Sequence, residues 1–97
     1  MIEKKLAIKK VHIFISGRVQ GVGFRIFVQA VARREGLDGQ VINRNDGSVE
    51  AMAVGDAKAI GLFEQALRQG PPYASIEAVK VTDCAPIALG LGFSILS

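Results

Sequence analysis

Cysteine occurs once in the 97 residues, at Cys84. That excludes a disulfide scaffold and any metal cage built from cysteine alone. With no disulfide to explain, a reducing, cytoplasmic compartment is the expected home. Histidine also occurs once, at His12, and no cluster of His, Cys and carboxylates stands ready for a metal, so neither metal nor cofactor is expected. No apolar run approaches the ~18 residues of a membrane-spanning helix. The charges of the opening MIEKKLAIKKVHIF interrupt it before signal-peptide length, so neither membrane nor targeting segment is expected. An excess of one charge is nearly absent too. Twelve Lys/Arg against nine Asp/Glu leave a formal +3, which favours anions slightly and demands no nucleic acid. Apolar residues make up 49% of the chain and charged residues 22%, a balance that fits one well-filled core and argues against disorder. The length suits a single domain over residues 9–97, after a short basic lead-in at 1–8.

Lys10 to Ser16 alternates Val11, Ile13 and Ile15 on one face with His12, Phe14 and Ser16 on the other, the period of a strand. Three glycines follow within seven residues, Gly17 to Gly23. Phe24, Phe27, Val28 and Val31 then fall at helical spacing, with Arg25, Gln29 and Arg33 four apart on another side. Gly36 is a natural C-terminal stop. Gln40–Asn43 and Ser48–Val54 read as two strands joined by Asp46-Gly47, a strong hairpin signal. Asp56 is placed to cap a second helix carrying Ile60, Phe63 and Leu67, in which Gly61 costs ~1 kcal/mol relative to alanine. Gly70-Pro71-Pro72 ends that helix. Ser75–Ala85 reads as a fourth strand, interrupted by Pro86, and Leu91–Leu96 as a short fifth at an edge. The order predicts an α+β, ferredoxin-like βαββαβ sandwich with a short fifth strand: an antiparallel sheet with two helices on one face.

The glycine loop leads into a helix start, where backbone N–H groups lack intrahelical partners and the helix dipole adds positive charge. Such a place takes a phosphate or carboxylate. Arg25, in the first turn, can curl back toward the loop and meet a phosphate with two parallel hydrogen bonds. In this topology the first and second strands run the same way with the third between them. Asn43 therefore shares a rim with the loop, two strand spacings or ~10 Å away. Each feature has a plainer reading: a tight turn, a solvated arginine, an asparagine supporting a hairpin. Their joint placement favours an anion site.

The run Ile15-Ser16-Gly17-Arg18-Val19-Gln20-Gly21-Val22-Gly23-Phe24-Arg25 resembles the first motif of the acylphosphatase family. A second family motif is matched by Gly39-Gln40-Val41-Ile42-Asn43, Gly47-Ser48-Val49 and Gly55. The resemblance covers residues 9–96. Gln40 stands where the family has an aromatic and Ile42 where a polar or small residue is usual, and the C-terminal Gly92–Ser97 lacks a basic ending. The resemblance implies hydrolysis of acyl phosphates to a carboxylate and inorganic phosphate. Backbone amides of Val19, Gln20, Gly21, Val22, Gly23 and Phe24, with the Arg25 guanidinium, would hold the phosphoryl group. Asn43 would orient the attacking water, and the Gln20 side chain would brace the loop. The implied partners are a small acyl phosphate and inorganic phosphate, with a monomer expected.

Plainer assignments hold elsewhere. His12 reads as structural, Cys84 as a small packed residue, and Lys4, Lys5, Lys9 and Lys10 as a solvated edge that discourages strand pairing. An RNA-binding sheet of this topology needs stacking aromatics on its central strands; Ser48–Val54 has none, and Phe14 alone makes no platform. A metal carrier would need a Cys-x-x-Cys loop. A non-catalytic phosphate or carboxylate binder remains the alternative function, and a carbamoyl-phosphate-handling module of a larger protein a third. No pocket for an acyl side chain is evident, so broad specificity is the expectation.

Overall fold

Val11, Ile13 and Ile15 are fully buried and alternate with half-buried His12 and Phe14. This period-two pattern sets strand β1 (Ile8–Arg18) with one face in the core. The computed structural model describes residues 7–21, 23–84 and 90–96. Expectations placed on Lys4, Lys5, Val22, Ala85, Pro86 and Ser97 lie outside the described residues. The other elements are α1 (Phe24–Arg34), β2 (Asp38–Asn43), β3 (Val49–Asp56), α2 (Ala57–Gln69), β4 (Ser75–Cys84) and β5 (Phe93–Leu96). Ile8 belongs to the first strand rather than to a lead-in.

The sheet order is β4-β1-β3-β2-β5. Strand β3 pairs antiparallel with both β1 and β2, so β1 and β2 end on one rim. Both helices pack on one face: Val28, Val31, Ile60, Phe63 and Leu67 meet Val11, Ile13, Val41 and Ala51 in one buried cluster. The architecture is the ferredoxin-like α+β sandwich expected from the element order.

Three local expectations need correction. Strand β5 runs parallel to β2, so the sheet is mixed rather than antiparallel. Its start is pinned beside the start of β2: the Gly92 amide donates to Asp38 Oδ1 at 2.7 Å, and the Gly39 amide donates to the Gly92 carbonyl at 2.9 Å. A strand entering there must run the same way as β2. Lys9 and Lys10 do not mark an edge, because β1 is flanked by β3 and β4; Lys10 is only 8% exposed, while Lys9 pairs with Asp83 at 3.5 Å. Asp56 makes no side-chain cap on α2; the Ala57 amide is satisfied instead by the Ala7 carbonyl at 2.7 Å.

Helix α1 ends as expected at Gly36. The Gly36 amide reaches the Arg33 carbonyl at 3.2 Å and the Leu37 amide the Ala32 carbonyl at 2.9 Å, the paired bonds of a Schellman stop. Ahead of α1, the ladder of β1 with β4 shifts register between Ser16 and Gly17 and resumes with Gly17 opposite Ile76 and Arg18 opposite Ser75. Gly17 sits at φ 126, and the bend re-aims the chain toward the glycine loop.

Candidate active site

The loop between β1 and α1 is anchored by Val19, which is 1% exposed and part of the core. Gly21 and Gly23 take φ of 73 and 76, a left-handed backbone that side-chain-bearing residues rarely adopt. Gly23 is the N-cap of α1, and its carbonyl accepts from the Phe27 amide at 3.1 Å. The first amides of α1 are thereby turned toward the loop without a side-chain cap to occupy them.

A cavity of about 270 Å³ opens at this point. Val19, Gly21, Gly23, Phe24 and Arg25 line one side, and Asn43 lines it from the end of β2. Ile26 and Ile95 complete the wall. Five of the expected site residues thus share one cavity with Asn43. Val22 lies outside the described residues, and Gln20 is not on the wall. Its side chain turns away, donating from Nε2 to the Arg44 carbonyl at 2.7 Å and the Ser48 carbonyl at 2.9 Å. It ties the loop to the β2–β3 turn.

Asn43 is the last residue of β2 and pairs with Val49. Its Oδ1 is buried with no hydrogen-bond partner among the described residues. A buried acceptor left unpaired costs on the order of 1–3 kcal/mol.

Arg25 reaches β5. Its Nη1 donates to the Leu96 carbonyl of β5 at 3.2 Å, while the side chain still borders the cavity. Gln29, one turn on, donates to the Phe93 carbonyl at 2.9 Å. The polar stripe of α1 therefore faces β5, which the spacing of Arg25 and Gln29 alone could not reveal.

Beyond Asn43 lies a charged cluster on the helix-free face of the sheet. Arg44 Nη1 donates to Glu50 Oε1 at 2.6 Å, and its guanidinium stands 5.3 Å from the Phe14 ring centroid. His12 contacts the other carboxylate oxygen of Glu50, which gives this histidine the structural place expected of it. Burial alone would raise the Glu50 carboxyl, but hydrogen bonds from His12 and Arg44 outweigh it and hold the group below its ordinary value. Asp46 is held low by the Ser48 hydroxyl and amide, at 2.6 and 2.9 Å, fixing the turn after Asn43. Sequence reasoning missed this cluster because its members meet across strands and not along the chain. It also missed Ile26 and Ile95. The available signal was Ile26, an apolar residue off the helical stripe in the turn after the glycine loop.

Among the described residues, no three His, Cys, Asp or Glu side chains converge, and no helix is long and apolar enough to cross a membrane.

The family model described as Acylphosphatase matches residues 11–95. A curated acylphosphatase of Azoarcus sp. (strain BH72) is 49% identical over 82 residues, 84% of this chain and 83% of that protein. The crystal structure of acylphosphatase from Bacillus subtilis superposes with a TM-score of 0.88 at 39% identity, covering 92% of this chain and 99% of that one. Full-length HypF in its phosphate- and nucleotide-bound form also matches, at a TM-score of 0.87 and 29% identity, over 97% of this chain but 12% of its own. With the family match running through the loop, Arg25 and Asn43 and on to β5, the chain belongs to the acylphosphatase family, whose members are hydrolases acting on acyl phosphates.

Proposed function

We propose that this chain hydrolyses the carboxyl–phosphate bond of acyl phosphates, with the phosphoryl group held by the glycine loop and Arg25 and the attacking water oriented by Asn43. The observation that carries the reading is the single cavity bordered by Gly21, Gly23, Arg25 and Asn43. The left-handed glycines favour a concave run of amides, which suits a phosphoryl group. Val19, Gly21, Gly23 and Phe24, which line the cavity, contribute amides to it, and Gln20 and Val22 are assigned with them on the sequence motif alone. Arg25 supplies the charge.

The chemistry asks little more. Water oxygen attacks phosphorus in line, the bond from phosphorus to the acyl oxygen breaks, and its electron pair leaves on a carboxylate. A carboxylate is a good leaving group, so no general acid is required. The proton released by water goes to a phosphoryl oxygen of the substrate. What the protein adds is positioning and stabilisation of charge. A neutral amide suits the water-holding position, since a carboxylate there would repel the phosphoryl oxygens. The Asn43 carboxamide, which lines the cavity from the end of β2, is the group assigned to hold that water. The proposal includes a metal-independent reaction, inorganic phosphate as product and competing ligand, and a cytoplasmic monomer.

Turnover of benzoyl phosphate by the purified chain in EDTA tests this. Hydrolysis with competitive inhibition by phosphate is expected. A chain that binds phosphate and turns over nothing, or only after a divalent cation is added, overturns it.

A further inference from the structure

Ile26 is out of place on its own helix. The core-facing residues of α1 are Phe24, Val28, Val31 and Ala32; Ile26 is 66% exposed, so folding gains little from it. It nevertheless lines the cavity that holds Arg25 and Asn43. Ile95 borders the same cavity, half-buried against the core from β5. The two come from elements far apart in sequence, yet their relation is fixed: Arg25, next to Ile26, donates to the carbonyl of Leu96, next to Ile95.

Neither isoleucine can serve a phosphoryl group, which wants N–H donors and positive charge. At roughly 30 Å³ per water, a phosphoryl group the size of two or three waters fills a minor part of the 270 Å³ cavity. The rest of the substrate is its acyl part. Arg25 is the single charged side chain on the described wall, and the phosphoryl group engages it. A second anionic group on the substrate would find no partner there.

Resting on the function proposed above, we infer that Ile26 and Ile95 form an acyl subsite, which makes the enzyme selective for acyl phosphates with an apolar acyl group, aromatic or branched aliphatic, over small or anionic ones. The expected broad specificity is thereby narrowed. Ile26 touches the acyl group equally in ground and transition states, so its effect falls on KM rather than kcat.

The test compares benzoyl phosphate with acetyl phosphate in the wild type and in Ile26→Gln. This neutral change, at an exposed position on a helix, retains good helix propensity. The expected result is a KM for benzoyl phosphate roughly ten-fold below that for acetyl phosphate in the wild type. Ile26→Gln should raise the benzoyl value about five-fold and the acetyl value less than two-fold, with kcat unchanged. Equal KM values in the wild type, or equal losses in the variant, overturn the subsite while leaving the hydrolase reading intact. Binding of benzylphosphonate and methylphosphonate by calorimetry separates the two claims from the other side. If neither acyl phosphate is hydrolysed, tighter binding of benzylphosphonate that Ile26→Gln abolishes still supports the subsite, and only the catalytic reading fails. Equal binding of both phosphonates overturns it.

Discussion

Gln20 reaches out of the glycine loop to the carbonyl of Arg44, at 2.7 Å, and so fixes the loop to the residue that follows Asn43. A second bond from the same Nε2, to the Ser48 carbonyl at 2.9 Å, spans the turn. The two halves of the proposed site, anion cradle and water holder, are thus joined by one side chain that stays off the cavity wall. Gln20→Ala removes both bonds at a stability cost of about 1 kcal/mol. The larger effect is expected on geometry: a small displacement of Asn43 from the loop lowers kcat by about ten-fold or more, while KM moves little. Steady-state kinetics with benzoyl phosphate, read beside urea unfolding, checks the split.

Arg25→Ala removes the single charge on the described wall of the cavity. Losing one preorganised donor at the developing charge costs on the order of a hundred- to a thousand-fold in kcat, and the same loss is expected in EDTA. Arg25→Lys should recover little, because an ammonium cannot hold two phosphoryl oxygens and reach the Leu96 carbonyl with a planar fork. Its bond to Leu96 is exposed and long, at 3.2 Å, so the melting temperature should fall only slightly. A wild-type rate in Arg25→Ala would remove the assigned role.

Asn43→Ala leaves the loop and Arg25 in place. The expected phenotype is a fall in kcat of about a hundred-fold with inorganic phosphate still competing at its wild-type concentration. Asn43→Asp keeps the shape but sets a negative charge beside the phosphoryl oxygens, so it should weaken phosphate binding as well. Titration of activity with phosphate in both variants separates the two effects. Loss of phosphate binding in Asn43→Ala would show that the asparagine holds the anion and not the water.

The element order, the shared rim and the loop were legible because each rests on local pattern. Period two in Val11–Ile15, helical spacing in Phe24–Val31 and the Asp46-Gly47 turn are statements about neighbours in sequence. The direction of β5 was not legible, since it depends on Asp38 catching the Gly92 amide across the fold. Lys10 was misread for the same reason: whether a strand is an edge depends on what pairs beside it, and here Val54 and Cys84 do. The bond partner of Arg25 likewise lay 71 residues away. Spacing placed the guanidinium at the site but not on its carbonyl.

Glu50 should tie stability to acid pH. Burial disfavours its charge, yet hydrogen bonds from His12 and Arg44 prevail and lower its folded value beneath the ordinary 4.5. A carboxyl depressed on folding binds its proton less readily in the native state than in the unfolded chain. Its stabilising contribution is therefore present above pH 4.5 and is lost as pH falls through the depressed folded value. Glu50→Gln cannot titrate, so its unfolding midpoint should drop less between pH 6 and pH 3 than that of the wild type. The two curves should converge at the acid end. Parallel curves would mean that the contact with Arg44 is not coupled to folding.

Two glycines should respond in opposite directions to the same substitution. Gly17 stands at the bend where the β1–β4 register shifts, at φ 126, and a Cβ there would lie 2.1 Å from the Ser75 carbonyl oxygen. Both the backbone conformation and the contact are forbidden to alanine, and the obstacle is main chain that cannot move aside. Gly17→Ala should destabilise by about 3 kcal/mol, a fall in Tm of roughly 15 °C for a chain this size. Because the bend aims the loop, kcat should fall in whatever fraction remains folded. Gly61 lies inside α2, and a Cβ there meets nothing within 4 Å. Gly61→Ala should raise stability by about 1 kcal/mol through helix propensity alone, with activity unchanged. Thermal unfolding followed by circular dichroism reads both. A Gly17→Ala protein as stable as the wild type would mean that the strand can slide past Ser75, and the glycine loop would lose the fixed base from which it is aimed.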